Sequence, residues 1–108
     1  MNENISDLYN VILKRKTDGE KGSYTSYLFE KGTNKILKKV GEECTEVIIS
    51  CKEDNKKEQI NEICDLTYHM LVLMAQMDIS VEEVSEELGK RRSKINNFKG
   101  EREEITNV

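Results

Sequence analysis

Apolar residues recur at helical spacing along most of the chain, and no segment shows the sustained alternation of a strand. Positions three and four residues apart lie on one face of a helix, so this pattern predicts an all-α fold. Proline, which interrupts helices, does not occur in the sequence. Turn-forming residues divide the pattern into segments that we expect to pack as a bundle of four to five helices.

Turn and capping residues set the expected bounds of the first two helices. The first should run from an N-cap at Ser6 to about Arg15, before the turn at residues 18–22. A short helix should follow from Thr25 to Glu30, ended by Gly32.

The next predicted helix starts at Thr33 and ends before the turn at residues 54–55. Its apolar residues fall on one stripe, because each successive residue turns by about 100°. We expect this stripe to face the core. It comprises Ile36, Leu37, Val40, Cys44, Val47, Ile48 and Cys51.

Two further helices are predicted from capping patterns, in which a capping residue is followed three positions later by glutamate. Asn55 with Glu58 should open a helix to about Met77, and Ser80 with Glu83 should open one to about Ile95. The first of these has such a wide apolar arc that we expect it to be central and covered on several sides. The arc comprises Ile60, Ile63, Cys64, Leu66, Met70, Leu71, Leu73, Met74 and Met77.

The length of 108 residues predicts a single domain over 1–108, with an ordered core at about 5–95 and a polar tail at 100–108. Apolar residues make up 36% of the chain and charged residues 35%. A small domain of this composition buries a modest share of its surface, so we expect a homodimer to complete the core.

The net charge of −4 argues against a nucleic-acid partner, although a small phosphorylated ligand remains compatible with it. No apolar run is long enough to span a bilayer, and no signal sequence is recognisable, so we expect a cytoplasmic protein with no membrane partner. Three cysteines without a Cys-x-x-Cys pair indicate reduced, buried thiols.

Acidic residues on two core-forming helices are the strongest chemical signal. Glu43 and Glu46 are three residues apart on one helix, and Glu62 and Asp65 are three apart on the next. Four converging carboxylates would repel one another unless a cation lay between them. Oxygen ligands without a histidine pair favour Mg²⁺, or Mn²⁺, and therefore phosphate chemistry.

An ordinary explanation of the same acids remains open at this point. Glutamates on helix surfaces are common, and Lys39 with Glu43 or Lys38 with Glu42 forms a commonplace solvated pair. Under this alternative the chain is a helical oligomerisation or adaptor module.

Motif similarity favours the metal site. The pattern Glu42-Glu43-x-x-Glu46, followed after fifteen residues by Glu62-x-x-Asp65, resembles the signature of the all-α NTP pyrophosphohydrolases, the MazG-like superfamily. The flanking segments are more specific and resemble the phosphoribosyl-ATP pyrophosphohydrolase family over about residues 5–95. They read SYTSYLFEKG at 23–32, KILKKVGEE at 35–43 and DLTYHMLV at 65–72.

The resemblance implies a MazG-like bundle that hydrolyses phosphoribosyl-ATP, a small-molecule nucleotide, to phosphoribosyl-AMP and pyrophosphate, the second step of histidine biosynthesis. It further implies that Mg²⁺ is held by Glu43, Glu46, Glu62 and Asp65. A spare carboxylate, Glu42 or Glu46, would take the proton of the attacking water. We expect the substrate phosphates to meet basic side chains, with Lys35, Lys38, Lys39, Arg91 and Arg92 as candidates.

Other polar residues near these motifs have two interpretations. His69 is expected to be a structural hydrogen-bond partner rather than a metal ligand. Ser23, Tyr24 and Thr25 either contact the ribosyl phosphates or cap the short helix. A related hydrolase of dCTP, dUTP or damaged nucleotides would use the same metal site with a different base pocket.

Overall fold

The computed structural model describes residues 2–94. This part of the chain contains helices and no strand, which confirms the predicted all-α class. The helices are α1 (Glu3–Thr17), α2 (Tyr24–Lys31), α3 (Thr33–Cys51), α4 (Lys56–Gln76) and α5 (Val81–Arg92).

Helix α1 begins earlier than the sequence predicted. The Asn2 side chain, on extended backbone, accepts a hydrogen bond from the Asn4 backbone N–H at 2.7 Å and caps the helix. The predicted N-cap at Ser6 is therefore wrong, because an equally good capping residue lies upstream and the first turn carries an acid, Glu3, that suits a helix N-terminus.

The remaining caps lie where they were predicted. Gly32 ends α2, with its N–H donating to the Leu28 carbonyl at 3.0 Å, and α3 starts at the next residue. Asn55 accepts the Glu58 backbone N–H at 3.1 Å, and Ser80 forms a complete capping box with Glu83. Helix α5 ends at Arg92, three residues before its predicted end.

Helices α3 and α4 form an antiparallel hairpin, in which Gln76 near the end of α4 donates to the Thr33 hydroxyl at the start of α3 (2.8 Å). Helix α1 packs against α4, and α2 lies against both α3 and α1. The predicted central position of α4 is confirmed, since it contacts both α3 and α1. The core consists of Tyr9, Ile12, Leu28, Ile36, Leu71, Val72, Ala75 and Val81.

This core occupies one end of the hairpin, so the predicted burial of the α3 stripe is largely wrong. Ile36 is fully buried, but Ile48 is 60% exposed and Leu37 is also exposed. The reason is geometric: the buried residues of α1 and α2 pack with the start of α3 and the end of α4, while the opposite end of the hairpin projects beyond them.

The wide arc of α4 is likewise only partly covered. Leu71 and Val72 are buried, whereas Ile60, Ile63 and Met70 are exposed. All three cysteines are exposed rather than buried, because they lie on the same uncovered surfaces of α3 and α4. The expected cover on several sides is therefore missing among residues 2–94.

The predicted polar tail at 100–108 lies outside the described residues. Among residues 2–94, no helix combines the length and the apolar character that a membrane-spanning segment requires.

Candidate functional site

Three carboxylates meet where the middle of α3 lies against α4. They belong to Glu43 on α3 and to Glu62 and Asp65 on α4, and one oxygen from each lies within 4.8 Å of the others. The spacing of Glu62 and Asp65 places them on one face of α4, and the antiparallel hairpin brings Glu43 opposite that face. The structure thus unites three of the four predicted metal ligands.

The electrostatics of this cluster are repulsive. Partial burial raises the pKa of the Glu62 carboxyl, and a hydrogen bond with Glu58 together with the negative charges of Asp65, Glu58 and Glu46 raises it further. Neighbouring like charges disfavour ionisation, because each additional anion increases the repulsion. A cation between the carboxylates would reverse this effect.

The donor set suits a hard divalent cation. Ligand oxygens around one Mg²⁺ lie at most about 4.2 Å apart, twice the metal–oxygen distance, so small side-chain adjustments would bring the three carboxylates into range. Glu46 lies outside the three-residue group, although its charge contributes to the raised pKa of Glu62. Its assignment as a ligand stays a prediction.

Lys39 forms the basic edge of the cluster. Its ammonium lies 3.4 Å from a Glu42 oxygen and 3.9 Å from a Glu43 oxygen. Burial lowers the pKa of Lys39, but Tyr24, Glu42 and Glu43 outweigh burial and leave this pKa raised. The Glu42 carboxylate, half exposed, is therefore engaged with a lysine rather than grouped with the other acids.

The other predicted cations lie on two helices. Lys35 is partly buried and Lys38 is exposed on α3, near Lys39 along the helix. Arg91 donates to Glu87 one turn earlier on α5 (3.2 Å), and Arg92 is exposed beside it. Their contact with phosphate stays a prediction.

His69 connects the carboxylate cluster to α2. Its Nδ1–H donates to the Asp65 backbone carbonyl at 2.7 Å, because a carbonyl oxygen can only accept. In the neutral ring, Nε2 then accepts a hydrogen bond from the Tyr24 hydroxyl at 3.1 Å. The side chain is buried. The expected structural role of His69 is thus confirmed, but its partner Tyr24 was not foreseen.

The serine, tyrosine and threonine at the start of α2 divide between the two interpretations. Ser23 caps the helix by accepting the Ser26 backbone N–H at 3.1 Å. The Thr25 hydroxyl instead bonds the Tyr68 hydroxyl, across to α4. Burial raises the pKa of Tyr68, and the bond to Thr25 opposes that rise. Capping is confirmed for Ser23 alone.

Comparisons with known proteins find similarity over nearly the whole chain. A family model described as "Phosphoribosyl-ATP pyrophosphohydrolase" matches residues 5–92. The chain is 59% identical to the phosphoribosyl-ATP pyrophosphatase of Clostridium acetobutylicum, covering 99% of this chain and 97% of the relative. It is 56% identical to that of Clostridium novyi (96% and 94% covered) and 54% identical to that of Listeria innocua (96% and 99% covered).

Proposed function

The chain belongs to the phosphoribosyl-ATP pyrophosphohydrolase family, and we therefore propose that it hydrolyses phosphoribosyl-ATP to phosphoribosyl-AMP and pyrophosphate, the second step of histidine biosynthesis. The observation that carries the proposal is the meeting of Glu43, Glu62 and Asp65 between α3 and α4. Clustered carboxylates are the usual means by which proteins hold the cation that phosphate hydrolysis needs.

We propose Mg²⁺, with Mn²⁺ as a substitute, as the cation held by Glu43, Glu62 and Asp65, with Glu46 as a further ligand. When bound, the cation would neutralise phosphate charge and polarise the phosphoryl group that is attacked. The raised pKa of Glu62, caused by partial burial and by neighbouring acids, supports this assignment, because a bound cation would relieve the repulsion between these carboxylates.

The proposed reaction is attack by water on the α-phosphorus. The new P–O bond forms as the bond to the bridging oxygen breaks, and the β- and γ-phosphates leave together as pyrophosphate. A carboxylate must take the proton of the water. We favour Glu46 over Glu42 for this role, through a carboxylate oxygen that would not bind the metal. The Glu42 carboxylate lies 3.4 Å from the Lys39 ammonium, whereas Glu46 is close enough to Glu62 to affect its pKa.

Lys39 is the best placed of the candidate cations for the departing pyrophosphate. It already lies beside the carboxylate cluster, and a phosphate chain would offer it more negative charge than Glu42 does. Lys35 and Lys38 would extend the same basic edge along α3, with Arg91 and Arg92 as further candidates from α5.

We further propose that the chain is a single domain and forms a homodimer in the cytoplasm. The support for dimerisation is the uncovered apolar surface at the projecting end of the hairpin, which includes Ile48, Ile49, Ile60 and Ile63. Exposed apolar surfaces of this kind are typical of subunit interfaces. Sedimentation of a stable monomer at micromolar concentration would contradict the dimer.

The test is pyrophosphate release from phosphoribosyl-ATP, ATP, dCTP and dUTP by the native chain, Glu62→Gln and the control Glu53→Gln. Glu53 lies in the turn after α3, is exposed, and is no part of the three-carboxylate cluster. We expect Mg²⁺-dependent release selective for phosphoribosyl-ATP, lost in Glu62→Gln and kept in Glu53→Gln. Faster turnover of dCTP or dUTP would make the chain a different nucleotide hydrolase, and no release from any substrate would favour the adaptor alternative.

A further inference from the structure

Two tyrosines on α2 form an exposed aromatic surface beside the carboxylate cluster. The rings of Tyr24 and Tyr27 lie with their centroids 6.1 Å apart and their planes within 25° of each other. Tyr24 is 45% exposed and Tyr27 is 40% exposed. Neither ring belongs to the buried core, so the surface they form is available to a ligand.

This aromatic surface is joined to the proposed metal site through a short chain of contacts. The Tyr24 hydroxyl donates to His69, and His69 donates to the backbone carbonyl of Asp65, one of the three clustered acids. Burial raises the pKa of Tyr24, Lys39 opposes that rise, and Glu43 adds to it. Tyr24 is thus close to both the acid and the lysine that flank the cluster.

The orientation of the Tyr24 ring is fixed by its neighbours. Tyr68 lies 6.2 Å away at 29° on α4, and the buried His69 ring meets Tyr24 edge-on at 5.8 Å. A ring that is held before binding loses little conformational freedom when a ligand stacks on it. The Lys31 ammonium lies 5.8 Å from the centroid of the Tyr27 ring, within the distance of a cation–π contact, so this ring attracts a cation.

We propose that Tyr24 and Tyr27 form the platform on which the purine ring of the substrate stacks while its phosphate chain reaches the carboxylates. This inference rests on the proposed function. The adenine ring of phosphoribosyl-ATP carries a second ribosyl group on N1, and N1-substituted adenine is protonated more readily than adenine itself. A protonated purine gains a cation–π attraction that neutral adenine lacks. Tyr27 is therefore a specificity-determining residue that favours phosphoribosyl-ATP over ATP.

The test compares the native chain, Tyr27→Leu and Tyr27→Phe in equilibrium binding of phosphoribosyl-AMP, the reaction product, measured by calorimetry. No turnover complicates this measurement. We expect Tyr27→Leu to weaken binding about tenfold, within the range that base–aromatic stacking supplies, and Tyr27→Phe to restore it. Binding of inorganic pyrophosphate, which has no base, should be equal in all three proteins. In turnover, Tyr27→Leu should raise KM for phosphoribosyl-ATP more than for ATP, with kcat kept.

Unchanged phosphoribosyl-AMP binding in Tyr27→Leu, or no binding by the native chain, would overturn the platform. An equal loss of pyrophosphate binding would also overturn it, since the substitution would then act on the whole site. A lower sedimenting mass for Tyr27→Leu would assign the surface to a subunit contact instead. Failure of the proposed function has a different signature, namely no pyrophosphate release by the native chain, whatever the binding result.

Discussion

Gly32 is the single residue that joins α2, which carries the tyrosines, to α3, which carries Glu43. Its backbone lies at φ 93° and ψ −175°, a conformation that residues with a side chain rarely adopt. A β-carbon built on Gly32 would meet nothing within 4 Å. The cost of Gly32→Ala is therefore conformational alone, and we expect it to be about 2 kcal/mol, within the range for such backbone strain.

For a domain of this size, a loss of about 2 kcal/mol lowers Tm by about 10 °C. The assay is thermal unfolding followed by circular dichroism, with Gly19→Ala as the matched control. Gly19 also has open space for a β-carbon but no positive φ, so its substitution should be neutral or slightly stabilising. Equal Tm values for the two variants would refute the assignment of strain to Gly32.

Three further predictions concern the acids and the uncovered surface. In EDTA, Glu62→Gln should raise Tm, because the substitution removes one of the repelling charges. Mg²⁺ at a hundred times its Kd should stabilise the native chain by about 2.7 kcal/mol and the variant by less. Equal stabilisation of the two proteins by Mg²⁺ would contradict a metal site at Glu62. The hydrogen bonds from the Ser80 backbone and hydroxyl lower the pKa of Glu83 in the folded chain. The native chain should therefore be more stable than Glu83→Gln, fully so above the pKa of Glu83 in the unfolded chain, and this difference should disappear as pH falls through the pKa in the folded chain. A difference in urea unfolding that does not vary with pH would be inconsistent with this prediction. Ile48→Asp, at an exposed position, should leave the helical content intact but halve the mass found by sedimentation, and an unchanged mass would place the interface elsewhere.

Local signals in the sequence were sufficient to predict most helix ends. Gly32, Asn55 and Ser80 each act through hydrogen bonds to residues within four positions, so their effect can be read from neighbours in the chain. The predicted cap at Ser6 was wrong because Asn2, an equally good capping residue, precedes it in the chain. A capping signal identifies a helix start only when no competing cap precedes it.

Burial could not be predicted from periodicity in the same way. Ile36 and Ile48 belong to one apolar stripe, yet Ile36 is fully buried and Ile48 is exposed. The stripe shows which face of α3 is apolar, but whether α1, α2 or another subunit covers it depends on how far those elements extend along the hairpin.

The part of the candidate site that could be predicted from the sequence is the grouping of residues on the same helix. The pairing of Glu62 with Asp65 follows from their spacing, and an antiparallel partner helix makes a contribution from Glu43 reasonable. The engagement of Glu42 by Lys39 and the bond between Tyr24 and His69 depend on side-chain positions. The Tyr24–His69 bond spans 45 residues, and no local pattern marks such a pair.

We propose that the carboxylates between α3 and α4 support cleavage of phosphoribosyl-ATP between its α- and β-phosphates. The most direct measurement is phosphorus NMR of that substrate with Mg²⁺, using the native chain and Asp65→Asn, with Asp54→Asn in the exposed turn as the control. We predict that the native chain and Asp54→Asn form pyrophosphate and phosphoribosyl-AMP, and that Asp65→Asn forms neither. Release of orthophosphate would exclude cleavage between the α- and β-phosphates, and full activity of Asp65→Asn would exclude a catalytic role for this carboxylate.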